Sequence, residues 1–156
     1  MKLIDPMQKP PAIEVIARAL IIDTEAEKVL LCSTKDKSRY YLPGGHIEFG
    51  EPVHFGLSRE IWEEMGVETS AEKFSFLGGS ENIFMQENER MHEINLFFRV
   101  PIGISSHKEI VSREEHIEFS WVSVADLAMI PILPESLGGM IKEWTKGKPQ
   151  ILWHDL

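Results

Sequence analysis

This sequence predicts an α/β domain with a mixed sheet between helices. Strand-length apolar runs and segments of helical spacing follow one another in the order β, β, β, α, β, β, β, α. The 156-residue length, with 43% hydrophobic and 26% charged residues, is that of one domain able to bury a full core. No repeat, low-complexity tract or interdomain linker interrupts it, so residues 1–156 are expected to form a single unit.

Residues 1–11, "MKLIDPMQKPP", read as an extended lead-in punctuated by proline. The Ile-, Val- and Ala-rich residues 12–23 read as a buried strand, and "VLLCST" at 29–34 returns after the turn "TEAEK" as its hairpin partner. A short third strand at "YYL", 40–42, is stopped by "PGG". Helical spacing begins near Pro52, a residue suited to a first helical position, and ends at Gly66. Residues 73–85 and 92–100 read as two strands around "QENER", the second with apolar residues at alternate positions. A charged loop at 105–116 leads to the strand "IEFSWVSV". The segment "ADLAMI" predicts a short helix and "PESLGGMIKEWTKG" a C-terminal one.

Charge narrows the function. The net charge is −9, from 25 acidic and 16 basic residues. Such a balance opposes bulk nucleic-acid binding and attachment to anionic membrane, both of which are polyanionic. A polyanionic substrate can bind only where cations cancel the local field, which points toward a metal. Cys32 is the only cysteine, which excludes an intrachain disulfide and a cysteine zinc cluster. No apolar run approaches the length of a membrane span and no secretory pattern opens the sequence, so a reducing cytoplasm is the expected location.

The acidic stretch at residues 44–67, "GGHIEFGEPVHFGLSREIWEEMGV", is the informative one. On a helix of about 100° per residue, Glu60, Glu63 and Glu64 share an arc of roughly 100°. Leu57, Ile61 and Met65 form a flanking apolar face. Like charges so spaced each cost a helix about 0.2–0.5 kcal/mol. They also lie in its C-terminal half, where the dipole disfavours anions. A hard divalent cation offsets that repulsion, and oxygen-only donors suit Mg²⁺ or Mn²⁺ better than zinc.

Gly45, then five residues, Glu51, seven residues, and "REIWEEMGV" match the Nudix box at every specified position: Gly45, Glu51, Arg59, Glu60, Ile61, Glu63, Glu64, Gly66 and Val67. The sequence is therefore identified as resembling the Nudix hydrolases, and "YYLPGG" and "FSWVSVADL" resemble the family's flanks. The resemblance implies an α/β/α sandwich with a central mixed sheet. It also implies Mg²⁺-dependent hydrolysis of a nucleoside diphosphate linked to another group.

By the same resemblance Glu60, Glu63 and Glu64 hold the metal with the Gly45 carbonyl, and Glu51 and Arg59 brace the loop against the helix. Either Glu60 or a carboxylate outside the box positions the attacking water. Glu114, Glu115 and Glu118 are the candidates there; Glu118 is favoured among them, with an exposed strand carboxylate as its equal alternative. Glu48 is open between the metal shell and the loop surface. For substrate, Tyr40 walls the pocket or packs in the core, Glu93 faces the cleft while His92 packs, and Glu135 in "LPES" reads a base edge. Phe84, Trp121, Trp144 and Trp153 read as core.

The signatures of ADP-ribose, dinucleoside-polyphosphate, coenzyme A and NADH-cleaving members are absent. A (deoxy)nucleoside triphosphate or related small nucleotide is thus favoured over an ADP-sugar. A non-catalytic sensor domain and action on RNA 5′ ends are weaker readings, and a homodimer stays open.

Overall fold

The structure, a computed structural model, describes residues 12–147 and 151–154. The lead-in at residues 1–11 lies outside them. Strand β1 (Glu14–Leu20) runs between β5 (Gly44–His46), antiparallel to it, and β7 (Glu89–Arg99), parallel to it. Strand β6 (Ser75–Gln86) continues antiparallel beyond β7, and β9 (Leu152–His154) adds in parallel to complete a five-stranded mixed sheet in the order β5-β1-β7-β6-β9. A second, four-stranded antiparallel sheet is built around β3 (Lys28–Thr34), which pairs with β2 (Ile22–Asp23), β4 (Tyr40–Tyr41) and β8 (Ile117–Ser123).

Strand alternation divides the core in two. Ala17, Ala19 and Leu30 turn toward helix α1 (Val53–Met65) and pack with its Leu57, Ile61 and Met65. Leu20, Val29, Leu31 and Phe97 turn the other way and pack with Leu137, Met140, Ile141 and Trp144 of helix α2 (Leu137–Thr145). The expected α/β sandwich thus stands, with its β layer split between two sheets.

Four local differences from the sequence expectations have physical causes. The first strand breaks at Ile21, where the chain passes from one sheet to the other. "PGG" does not simply end a strand: residues 44–46 pair again, with β1, because Gly44 at φ 128° lacks a side chain. A Cβ there would stand 2.1 Å from the Ala17 carbonyl oxygen. Pro52 is the N-cap, with extended backbone at ψ 135°, and not the first helical residue. The C-terminal helix starts at Leu137 and is shorter than "PESLGGMIKEWTKG" suggests. Gly66 does stop α1, at φ 68° with its N–H on the Trp62 carbonyl.

Phe97 is fully buried with its ring centroid 5.5 Å from that of Trp144, tying the mixed sheet to α2. Replacing Phe97 with Ala is expected to cost about 3–5 kcal/mol, read as a lower urea midpoint at unchanged slope.

Candidate active site

The turn between β5 and α1 and the exposed arc of α1 meet through one side chain. Arg59 Nε donates to Glu51 Oε1 at 2.9 Å and its Nη2 to Glu51 Oε2 at 3.0 Å, a forked pair. Nη2 also donates to the His46 carbonyl at 3.1 Å, while Nη1 reaches Glu60 Oε1 at 2.8 Å and Glu63 Oε2 at 3.1 Å. Glu51 in turn accepts the Glu48 N–H at 3.1 Å, closing the turn. The Arg59 guanidinium holds the Glu51 carboxyl down at about 2, and the carboxylates around Arg59 hold its own proton more tightly than usual.

Two glycines leave room for this arrangement. A Cβ on Gly45 would lie 2.4 Å from Glu60 Oε2, and one on Gly56 would lie 2.6 Å from Glu51 Oε2. Gly56 therefore seats the bracing carboxylate within the first turns of α1.

The three helix carboxylates differ in their surroundings. Glu64 is 4% exposed and accepts the Gly44 N–H at 3.1 Å. Burial pushes its carboxyl up to about 8, against the pull of the Gly44 N–H and the Arg18 charge and with help from Glu114 and Glu60. Glu60 is also raised, chiefly by burial, with Arg59 opposing. Glu63 is the most open of the three, its side chain 45% exposed.

The donor set fits a hard cation in chemistry: oxygen only, from one helical arc, with Glu60 and Glu63 already converging on a single cationic nitrogen of Arg59. Among the described residues no three His, Cys, Asp or Glu side chains already surround one point. Arg59 and the Gly44 N–H hold oxygens that an ion would need, so Glu63 would have to turn away from the guanidinium for such a set to close. Its exposure permits that.

Other expected site residues lie at varying distances from this cluster. Glu118 does not join it. Its neighbours Phe119 and Trp121 pack on the α1 side, so strand alternation turns Glu118 to the opposite face, where it is exposed. Of the three candidates, Glu114 is the one whose charge helps raise both Glu60 and Glu64. It is partly buried and 3.3 Å from His116. Glu115 is exposed.

Tyr40 packs against the α2-side core, and its backbone bridges to residues 131–133. Glu135 is exposed in the turn before α2, on that side of the sheets. Glu93, opposite Glu14 of β1, accepts Asn95 Nδ2 at 3.5 Å, and the Asn95 Oδ1 meets Arg18 Nε at 3.5 Å. His92 does not pack inward; its Nε2 lies 2.7 Å from Glu81.

Trp121 and Trp144 are in the core as expected, whereas Phe84 is 38% exposed near the β6–β7 turn. The Trp153 side chain lies outside the described residues. Glu48 is exposed, leaving only its backbone in the turn.

Sequence reasoning missed Arg18. It donates to the carbonyls of Leu42 and Gly44 at 3.2 and 3.1 Å and lies 5.2 Å from the Tyr41 ring centre. A lone arginine inside an apolar strand was the one available signal.

A mixed sheet flanked by helices thus carries an oxygen-only carboxylate arc beside a glycine turn. The chain belongs to the Nudix family: it matches the NUDIX domain over residues 14–144. It is 31% identical over 106 residues to the nucleoside triphosphatase NudI of Escherichia fergusonii, covering 64% of this chain and 75% of that one. In structure it resembles the MutT protein of Bacillus halodurans, with a TM-score of 0.71 at 17% identity over 91% of this chain and 88% of that one. The MutT protein of Methanosarcina mazei is similar too, with a TM-score of 0.65 at 22% identity over 89% and 97%. These two likenesses show the fold.

Glu64 gives the metal-free protein a defined pH response. Its folded value of about 8 exceeds the ordinary 4.5, so folding favours the protonated form. That stabilisation is complete below about 4.5 and is lost as pH rises through about 8. With excess EDTA, the urea midpoint is expected to fall between pH 5 and pH 8, and Glu64→Gln to flatten that slope.

Proposed function

We propose that this Nudix hydrolase is a Mg²⁺-dependent pyrophosphohydrolase of (deoxy)nucleoside triphosphates or closely related small nucleotides, with Mn²⁺ able to replace Mg²⁺. The observation that carries the reading is the convergence of Glu60 and Glu63 on one cationic atom beside buried Glu64 and the Gly44–Gly45 turn. Similarity to a protein named as a nucleoside triphosphatase supports the substrate class. No helix among the described residues is long and apolar enough to cross a membrane. The single cysteine is buried and free, in keeping with a reducing cytoplasm.

In this reading Glu60, Glu63 and Glu64 hold the ion with the Gly45 carbonyl. A bound Mg²⁺ supplies charge neutralisation for the phosphate oxygens and lowers the pKa of bound water. The remaining work falls to the chain. Arg59 and Glu51 keep the β5–α1 turn at a fixed height over the helix, so that Gly45 and Glu60 stay in contact. Glu114 takes the general-base position vacated by Glu118, accepting a proton from water at the edge of the carboxylate cluster. Glu93, on the strand beside β1, offers an acceptor to the nucleoside part, and buried Asn95 braces it from below. Tyr40 and Glu135, on the α2 side, are the further candidates for contact with the nucleoside part.

Incubation with the common nucleoside and deoxynucleoside triphosphates and ADP-ribose, with product identification, tests the substrate class. Mg²⁺-dependent release of pyrophosphate and a nucleoside monophosphate is expected. Faster cleavage of ADP-ribose would replace the substrate assignment, and no turnover of any nucleotide would end the reading. Glu63→Gln is expected to reduce kcat at least about 100-fold while leaving the thermal midpoint near that of the parent protein.

A further inference from the structure

Arg113, in the loop before β8, contacts the C-terminal end of α1. Its backbone N–H donates to the Glu64 carbonyl at 2.8 Å. Its Nη1 reaches the Trp62 carbonyl at 3.4 Å, and its Cζ lies 4.9 Å from the centre of the Trp62 ring. Its guanidinium fills the space a side chain at Gly66 would need, since a Cβ there would lie 2.3 Å from Nη2. The last turn of α1 carries no basic residue of its own, so Arg113 brings a cation to the negative end of the helix dipole. The glycine that stops the helix is thus also the seat of an arginine from a distant loop.

The next residue is Glu114. The Ser112 hydroxyl donates to the Glu114 carbonyl and accepts its N–H, both at 3.0 Å, which makes residues 112–114 one tight turn. Holding Arg113 therefore holds Glu114. The Glu114 side chain is 34% exposed, and its charge is felt at Glu60 and Glu64.

We propose that Arg113 is a positioning residue of the hydrolytic reaction. It latches residues 112–114 to the C-terminal end of α1 and so delivers the Glu114 carboxylate to the face that carries Glu60 and Glu64. This rests on the reading of Glu114 as general base. The latch works by geometry: a misplacement of about 1 Å in a reacting group costs on the order of 100-fold in rate.

The test is a double-mutant cycle with Arg113→Ala, Glu114→Gln and the pair together. Turnover of dATP, dCTP, dGTP and dTTP is measured in saturating Mg²⁺, with a thermal melt of each protein. Glu114→Gln is expected to lower kcat about 100-fold. Arg113→Ala should lower kcat at least about 10-fold with KM and melting temperature nearly unchanged. The pair should be no slower than Glu114→Gln alone, within about twofold, because a latch has nothing to position once its carboxylate is gone. Arg113→Lys, which keeps the cation but loses the planar fork, should recover part of the rate.

Hydrogen exchange at residues 112–116 should quicken in Arg113→Ala while α1 keeps its protection. Wild-type kcat in Arg113→Ala, or losses that multiply in the pair, would overturn the inference. Wild-type turnover in Glu114→Gln would instead remove the general-base reading, and the latch as a catalytic device with it.

Discussion

One guanidinium organises the site. Arg59 binds both oxygens of Glu51, one oxygen each of Glu60 and Glu63, and the His46 carbonyl, and so joins a loop, a strand end and a helix. Four carboxylates within two turns of helix and its lead-in would otherwise repel one another. With Arg59 among them, the repulsion becomes a set of charge-assisted hydrogen bonds, each stronger than a neutral one. The small residues follow from that centre. Gly45 lets the strand lie against Glu60, and Gly56 lets Glu51 tuck under the helix.

The two sheets serve this centre by presenting it at an edge. Strand β5 is three residues long and terminal in the mixed sheet, so its Gly44 N–H is free to bond Glu64. Behind it Arg18 holds the Leu42 and Gly44 carbonyls from within β1. The α1-side core of Leu57, Ile61 and Met65 fixes the rotation of the helix, and with it the direction of the carboxylate arc. Packing on one side of α1 thereby decides which three glutamates look outward or toward β5.

The arc of Glu60, Glu63 and Glu64 was legible in the sequence because it depends only on helical period. So were the helix stop at Gly66 and the alternation of β7. What escaped depends on register and on which face of a sheet a residue takes. Glu118 and Glu114 are four residues apart, and no local pattern separates a carboxylate in the turn from one already in the strand. Pairing of Ser33 with Glu118 sends the latter to the far face, and that register is set by residues some 85 positions away. Strands β5 and β9 were missed for a related reason: each has three residues, and each exists because a neighbouring strand offers a ladder. His92 was expected to pack and instead pairs with Glu81, across a hairpin whose partner residues its own strand does not reveal.

The contact of Arg59 with both Glu60 and Glu63 bears on how the fold and its cofactor are related. Many small metal sites are assembled by the ion, and the chain around them is unfolded without it. Here the protein carries a resident cation that already balances two of the three carboxylates. An ion bound by Glu60 and Glu63 would therefore exchange for an internal cation and would not need to nucleate the structure. Folding and the loading of an ion at this arc would then be separable events, with Arg59 holding the same helix face before an ion arrives.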